Sequence, residues 1–297
     1  MENLFLLYLG SDGETAAQIA NFLQLKTDLS KGTLQLSLLE ESYKSPISTA
    51  NQFLLPQDVK ILDSYRSLVD KANGISFASL KSLTSKKIFL LSSTYYKGLW
   101  QKKFKNELTK LNTFYMPQAD GKLKKSTVRQ MSDVGFYKYQ YLSEVDAHIV
   151  EIPYNTNVSM FVLLPVNIAG INLIENNLHK LALKDIFPSK TAYIQIKLPM
   201  FKLESQTKLK EVIETLGVTQ LFNNANLKSM TDYKKTLSLS KIIQTATIDV
   251  DESGSQTFLS DGAAFRTTSE LFNVNHPFVF LISDKNYVYL AGRVASL

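Results

Sequence analysis

Ile242-Ile243-Gln244-Thr245-Ala246-Thr247-Ile248-Asp249-Val250 leads into Asp251-Glu252-Ser253-Gly254-Ser255, and a run of mostly polar and small residues then continues to Phe272-Asn273-Val274-Asn275-His276-Pro277-Phe278-Val279-Phe280-Leu281-Ile282. The first and last blocks are rich in β-branched and aromatic side chains, which pack well on a pleated surface. A connection this long with no element of its own is uncommon inside a compact domain and is usually functional. On its own, the stretch establishes an exposed loop bracketed by two strands.

Working outward, strand signals dominate from residue 73 onward. Lys87-Ile88-Phe89-Leu90-Leu91-Ser92-Ser93-Thr94-Tyr95-Tyr96 is a continuous apolar run, as expected of a central strand covered on both faces. Residues 147–153 and 159–165 flank Tyr154-Asn155-Thr156-Asn157-Val158 and predict a hairpin. Residues 192–199 alternate, and 276–282 with 286–294 form a strand pair around Ser283-Asp284-Lys285. Helical spacing is concentrated near the N-terminus. Ala16, Ile19, Ala20 and Leu23 lie on one face, 33–43 is a weaker pattern, and 58–72 places Leu62, Tyr65, Leu68 and Val69 on one side. Residues 208–216 predict a short helix closed by Gly217. Helices first and strands later, with no repeat or linker, predict one α+β domain over 1–297.

Composition narrows the chemistry. The 297 residues are 44% hydrophobic and 20% charged, the balance of a globular chain rather than a disordered one. There is no cysteine, so disulfides, thiolate metal sites and a cysteine nucleophile are excluded. The net charge is +6, with basic residues thickest over 101–110 and 122–129. This reads as a solvated surface, with polyanion binding as the minority reading. Aromatic interleaving is lacking there, so no nucleic-acid partner is expected. The N-terminal run Leu4-Phe5-Leu6-Leu7-Tyr8-Leu9 has no basic residue before it and is too short to span a bilayer. The expectation is no membrane partner, no secretory signal, and a cytoplasmic or non-classically released protein. His148, His179 and His276 show no metal-ligand spacing, and no nucleophile elbow or phosphate-binding loop occurs. Asp251-Glu252 are sequence neighbours that point different ways, which argues against an acid/base dyad. No enzyme, no cofactor and no metal site are expected.

Several segments, in order, resemble the serpin family. Leu9-Gly10-Ser11-Asp12-Gly13-Glu14-Thr15-Ala16-Ala17-Gln18-Ile19 is similar to an early family segment, and Thr94-Tyr95-Tyr96-Lys97-Gly98-Leu99-Trp100, followed by Phe104, to a second. Glu151-Ile152-Pro153-Tyr154, Phe161-Val162-Leu163-Leu164-Pro165, Leu198-Pro199-Met200-Phe201-Lys202-Leu203-Glu204 and Leu216-Gly217-Val218-Thr219-Gln220-Leu221-Phe222 match further signatures. Residues 251–255 resemble the family's hinge and His276-Pro277-Phe278 the segment after its reactive loop. Any one piece is weak evidence; the order carries the resemblance.

The resemblance implies a large mixed central sheet with smaller sheets and a reduced set of helices. It also implies a shortened member, with no counterpart of the first helices and only a stub between Phe77 and Ile88, a compact form reminiscent of viral members. The uncovered apolar surface would then favour self-association. The implied function is suicide inhibition of a serine protease: the loop, about 253–271, is cut and inserts into the sheet as a new strand. Its hinge is Glu252, Gly254, Ser255 and Thr257. The bait bond is Arg266–Thr267 by counting back from His276, or Thr268–Ser269 by counting forward from Glu252. Arg266 suits a trypsin-like pocket. On insertion the inward set is Ser255, Thr257, Leu259, Asp261, Ala263 and Phe265, of which Asp261 is the misfit. Ser92 and Gln244 replace two polar residues that help hold the family's sheet shut. Asp261 and these replacements motivate the alternative, a non-inhibitory serpin acting as a binding protein.

Overall fold

The computed structural model describes residues 2–25, 31, 47–69, 75–81, 87–233, 237–254 and 269–297. They fall into two compact units, one made of residues 1–96 and 203–248, the other of 97–202 and 249–297.

The first unit holds a five-stranded sheet in the order β2-β1-β3-β10-β9, where β1 is Ser48–Pro56, β2 Ile75–Leu80, β3 Lys87–Tyr96, β9 Phe201–Lys208 and β10 Ser238–Val250. Helices α1 (Glu2–Gly10), α2 (Gly13–Phe22), α3 (Asp63–Val69), α5 (Lys210–Thr215) and α6 (Gln220–Asn223) share its core. Leu4 through Leu9 are all buried, so α1 is apolar all round and is a core helix. Tyr65 of α3 donates to the Leu6 carbonyl at 2.8 Å. Burial pushes its phenol far above the ordinary range. Phe53, Leu55, Ile88, Leu90, Leu239 and Ile242 are the sheet's buried hydrophobic residues in this core.

The second unit holds an eight-stranded sheet in the order β11-β8-β5-β6-β7-β12-β13, with β4 paired to β5. Here β4 is Lys110–Pro117, β5 Leu123–Leu142, β6 Ala147–Pro153, β7 Ser159–Pro165, β8 Thr191–Pro199, β11 Glu270–Asn273, β12 Phe278–Ser283 and β13 Val288–Val294. β7 and β12 are buried along their whole length, which explains their uninterrupted apolar sequence. Helix α4 (Ile171–Asn177) places Ile171 and Ile174 on the cluster formed by Phe161, Leu163, Val279 and Leu281.

The predicted hairpin is β6–β7 and the terminal pair is β12–β13. The helix expected over 58–72 is confined among the described residues to Asp63–Val69, because Ile61 instead bridges to Thr231. The helix predicted from Lys208 begins at Lys210, as Lys208 closes β9. The stub between Phe77 and Ile88 contains the end of β2, which pairs in parallel with β1. The pattern at 33–43 lies outside the described residues.

Candidate functional site

The strands that precede and could receive the long loop are neighbours. β10 pairs in parallel with β3 from Ser238–Lys87 to Ile248–Tyr96, with a bulge between Leu239 and Lys241. Inward side chains alternate: Ile88, Leu90, Ser92, Thr94 and Tyr96 of β3 are buried. Ser92 stands opposite Gln244 on one side and Asn51 of β1 on the other. Ser92 Oγ donates to Asn51 Oδ1 at 2.9 Å, while Asn51 Nδ2 is buried with no hydrogen-bond partner among the described residues. Asn51, Ser92 and Gln244 therefore form a polar row across three neighbouring strands. Ser92 and Gln244, expected to alter the family's polar lock, thus stand in one row, with Asn51 of the adjacent strand bonded to Ser92.

In the second unit, the chain leaving β10 is fastened by Lys97, Trp100, Thr109 and Arg129. Trp100 is fully buried, stacked on Tyr154 with centroids 4.3 Å apart and edge-on to Phe104. Its indole N–H donates to the Asp251 carbonyl at 2.7 Å, and its amide to the Ser253 carbonyl at 3.0 Å. Lys97 Nζ reaches Asp251 Oδ2 at 2.7 Å and Asp249 Oδ2 at 3.5 Å. Hydrogen bonding and charge from Asp251 raise the Lys97 ammonium above its ordinary value. Burial pushes the Asp251 carboxyl up, but Lys97 and Ser253 outweigh it and hold it below the ordinary carboxylate value. Glu252 turns the other way, accepting from Thr109 Oγ1 at 2.9 Å and Arg129 Nη2 at 3.5 Å. Asp251 and Glu252 thus divide between two sets of partners. Gly254 bridges to Trp100, and a Cβ there would lie 2.6 Å from Lys103 Cα and 2.8 Å from its amide nitrogen. Only glycine allows this approach.

The chain returns at Ser269 and enters β11, which pairs in parallel with β8 from Glu270–Ile194 to Asn273–Lys197. Phe272 is buried there. Gln130 Nε2 donates to Asn273 Oδ1 at 2.9 Å and the Val274 carbonyl at 3.0 Å. Tyr115 donates its amide to the Asn275 carbonyl at 2.8 Å. His276 Nε2 lies 2.9 Å from the Pro165 carbonyl, and burial pushes its imidazole below the ordinary value, opposed by that contact. His148 sits within β6 against Tyr139, so both histidines have structural partners.

Of the expected site residues, Glu252 and Gly254 lie at the departure end and Ser269 at the return end. Ser255, Thr257, Leu259, Asp261, Ala263, Phe265, Arg266, Thr267 and Thr268 lie outside the described residues. The sequence reading missed Lys97, Trp100, Thr109 and Arg129 as partners of the hinge. Their one available signal was Trp100, the single tryptophan of the chain, inside a family-like segment.

Comparison with known proteins places these features in context. The family model described as Serpin (serine protease inhibitor) matches residues 76–297. Serine protease inhibitor 42Dd of Drosophila melanogaster is 31% identical over 221 residues, which is 72% of this chain and 57% of the fly protein. The chain therefore spans little more than half of that relative's length. Leukocyte elastase inhibitor of Bos taurus is 28% identical over 99% of this chain and 90% of its own. In fold, the chain resembles uncleaved ovalbumin with a TM-score of 0.84 at 24% identity, covering 100% of this chain and 91% of that one.

Proposed function

Because the chain belongs to the serpin family, we propose that it acts as one inhibitory domain: a suicide substrate whose 253–271 loop is cut by a serine protease and then inserts between β3 and β10. The observation that carries this reading is the parallel β3–β10 pair, with the loop leaving from the end of β10. A segment doubling back from that end runs antiparallel to both neighbours, replacing one slanted parallel ladder with two antiparallel ones. Cleavage after Arg266 frees twelve residues from Ser255, enough to run the ten-residue length of β3. The protease, held as an acyl-enzyme on the new C-terminus, is carried along before it can deacylate. Catalysis plays no part on the inhibitor's side.

Arg266 is the proposed bait, which directs the loop to a trypsin-like pocket lined by a carboxylate; Thr268–Ser269 is the alternative bond. Support for protease inhibition in general, though not for the trypsin-like pocket, comes from the relatives whose names describe inhibitors of serine protease and elastase. Asp261 favours a second reading, a non-inhibitory binding protein whose loop is merely cut. Incubation with a panel of trypsin-like proteases and a denaturing gel separates the two. Inhibition yields a covalent complex that survives SDS and is lost in Arg266→Ala. A cut loop with no complex, and no gain in thermal midpoint, would leave the binding reading.

A further inference from the structure

A cavity of about 660 Å³ opens in the second unit between β5 and the β6–β7 hairpin, and none of its lining residues holds either end of the loop. Along its floor the register sets Thr191 of β8, Lys138 of β5 and Glu151 of β6 in one row. Phe136, two residues back along β5, shares that face with its cross-strand neighbour Tyr193. The two ring centroids are 5.2 Å apart, and Phe136 is 72% exposed, so its ring is open to solvent. Gln101, Lys102 and Asn157 of the β6–β7 turn stand on the rim.

The charges that face this cavity are spent on one another. Lys102 Nζ donates to Asp133 Oδ2 at 2.6 Å and to the Val134 carbonyl at 3.1 Å. Tyr137 donates its hydroxyl to the same carboxylate oxygen. Lys138 Nζ lies 3.0 Å from Glu151 Oε2, and Glu151 Oε1 accepts from Ser159 Oγ at 2.8 Å. Two cations paired with two anions leave the site without net charge. Uncommitted polar groups remain around it. The Lys102 ammonium has a third N–H, and the side chains of Gln101, Asn157 and Thr191 make no hydrogen bond among the described residues. β5 and β6 are each paired on both sides here, so an extended peptide finds no strand edge to join on them. Recognition falls to the side chains.

We propose that this cavity is a binding site for a neutral mono- or disaccharide. The apolar C–H face of a sugar ring lies on the open ring of Phe136, which is the large, flat contact in the site. Its hydroxyls, each both donor and acceptor, meet Gln101, Lys102, Asn157 and Thr191. A charged ligand fits less well. An anion has to draw a lysine from Asp133 or Glu151, and a cation meets two ammonium groups; either leaves a part-buried charge without its partner. A purely apolar ligand would strip water from the uncommitted polar groups and return nothing to them. The site stands apart from the loop, so this assignment holds whether or not the loop inhibits a protease.

The test titrates the full chain with glucose, galactose, mannose, N-acetylglucosamine, maltose and lactose, read by saturation-transfer NMR and calorimetry. The best of these should bind with a Kd of about 1 mM. Saturation should reach the C–H protons of one sugar face most strongly. Phe136→Ala removes the stacking surface at an exposed position and should weaken that binding by about tenfold. Gln101→Ala should weaken it less, in the same direction. The Kd should be equal in low and high salt, because no net charge is matched. A panel that shows no saturation transfer overturns the proposal, and so does a parent-like Kd in both variants. Glucuronate or glucosamine binding more tightly than glucose, with the advantage lost in high salt, would assign the cavity to a charged ligand and overturn it as well. The thermal midpoint checks folding; should Phe136→Ala fail it, Gln101→Ala carries the test alone, and a parent-like Kd there overturns the proposal.

Discussion

Replacing Asp261 by alanine should increase the share of protease that is trapped rather than released, and the size of the effect follows from the β3–β10 register. The tightest reversal of the chain after β10 is a two-residue turn at Asp251-Glu252, which sets Ser253 against Val250 and Ser255 against Ile248. Ile248 and Tyr96 form the last pair of the ladder. Descending two residues at a time, Thr257 meets Ala246, Leu259 meets Gln244 and Asp261 meets Ile242. The other flank of that row is Leu90, and these two side chains are 2% and 0% exposed. The nearest polar row, Ser92–Gln244, is two residues away, roughly 7 Å, beyond hydrogen-bond reach.

A carboxyl entering such a row does best to take a proton first. From a solution value of about 3.9, that costs about 5 kcal/mol at pH 7.4 and about 2 kcal/mol at pH 5.4. If half of the cost at pH 7.4 is felt in the insertion barrier, insertion slows by roughly sixtyfold. Insertion competes with deacylation, so the stoichiometry of inhibition is the sensitive readout. Residual protease activity titrated against inhibitor should show fewer molecules consumed per protease for Asp261→Ala than for the parent. The parent should improve as the pH falls and the variant should not. Asp261→Asn, uncharged but still polar, should fall between. Identical stoichiometry for parent and Asp261→Ala at both pH values, with the same rise in thermal midpoint on cleavage, would show that residue 261 never enters this row.

Gly254→Ala should lower stability by about 1–3 kcal/mol, because its Cβ meets the Lys103 backbone rather than a movable side-chain end; chemical denaturation measures it. Trp100 is the single tryptophan and donates to the Asp251 carbonyl, so release of the hinge should shift its emission, and cleavage of an Arg266→Ala loop at any other bond without insertion should not. Ser92→Ala should cost about 1–3 kcal/mol by leaving both ends of the buried Asn51 amide unpaired, and adding Asn51→Leu should restore much of it. Burial lowers His276, so the folded state favours neutral imidazole; its contribution is complete above the ordinary histidine value and is lost as the pH falls through the lowered one. The thermal midpoint should therefore drop between pH 7.5 and 5.5, and His276→Gln should reduce that drop; His148, also lowered by burial, acts with the same sign.

What could be read from sequence was local. The apolar run at Lys87–Tyr96, the β6–β7 hairpin and the β12–β13 pair each announce themselves through patterning and a nearby turn. β1 did not, because Ser48-Thr49-Ala50-Asn51 opens it with polar and small residues before Phe53 and Leu55 turn inward. The first half of β5 read as a basic segment, because its lysines obscure the alternation that buries Val128, and β4 gave no strand signal beside it although Phe114 and Met116 turn inward. The partners of the hinge were out of reach for another reason. Trp100 lies 151 residues from Asp251 and Thr109 lies 143 from Glu252, so their meeting depends on the assembled sheet rather than on spacing. Asn51 likewise finds Ser92 across 41 residues, through a register that no single strand specifies.

These non-local contacts also differ in kind at the two ends of the loop, and the difference sets the direction of the proposed motion. At the return, β11 is held by a backbone ladder to β8, Phe272 is buried, and His276 bonds to the Pro165 carbonyl. At the departure, residues 251–254 are held by a handful of bonds, most of them from the side chains of Lys97, Trp100, Thr109 and Arg129. Backbone ladders resist piecemeal loss, since each pair orders the next, whereas single side-chain bonds contribute about 1 kcal/mol apiece and can be given up in turn. Insertion should therefore begin at Gly254 and run downward, with β11 left in place.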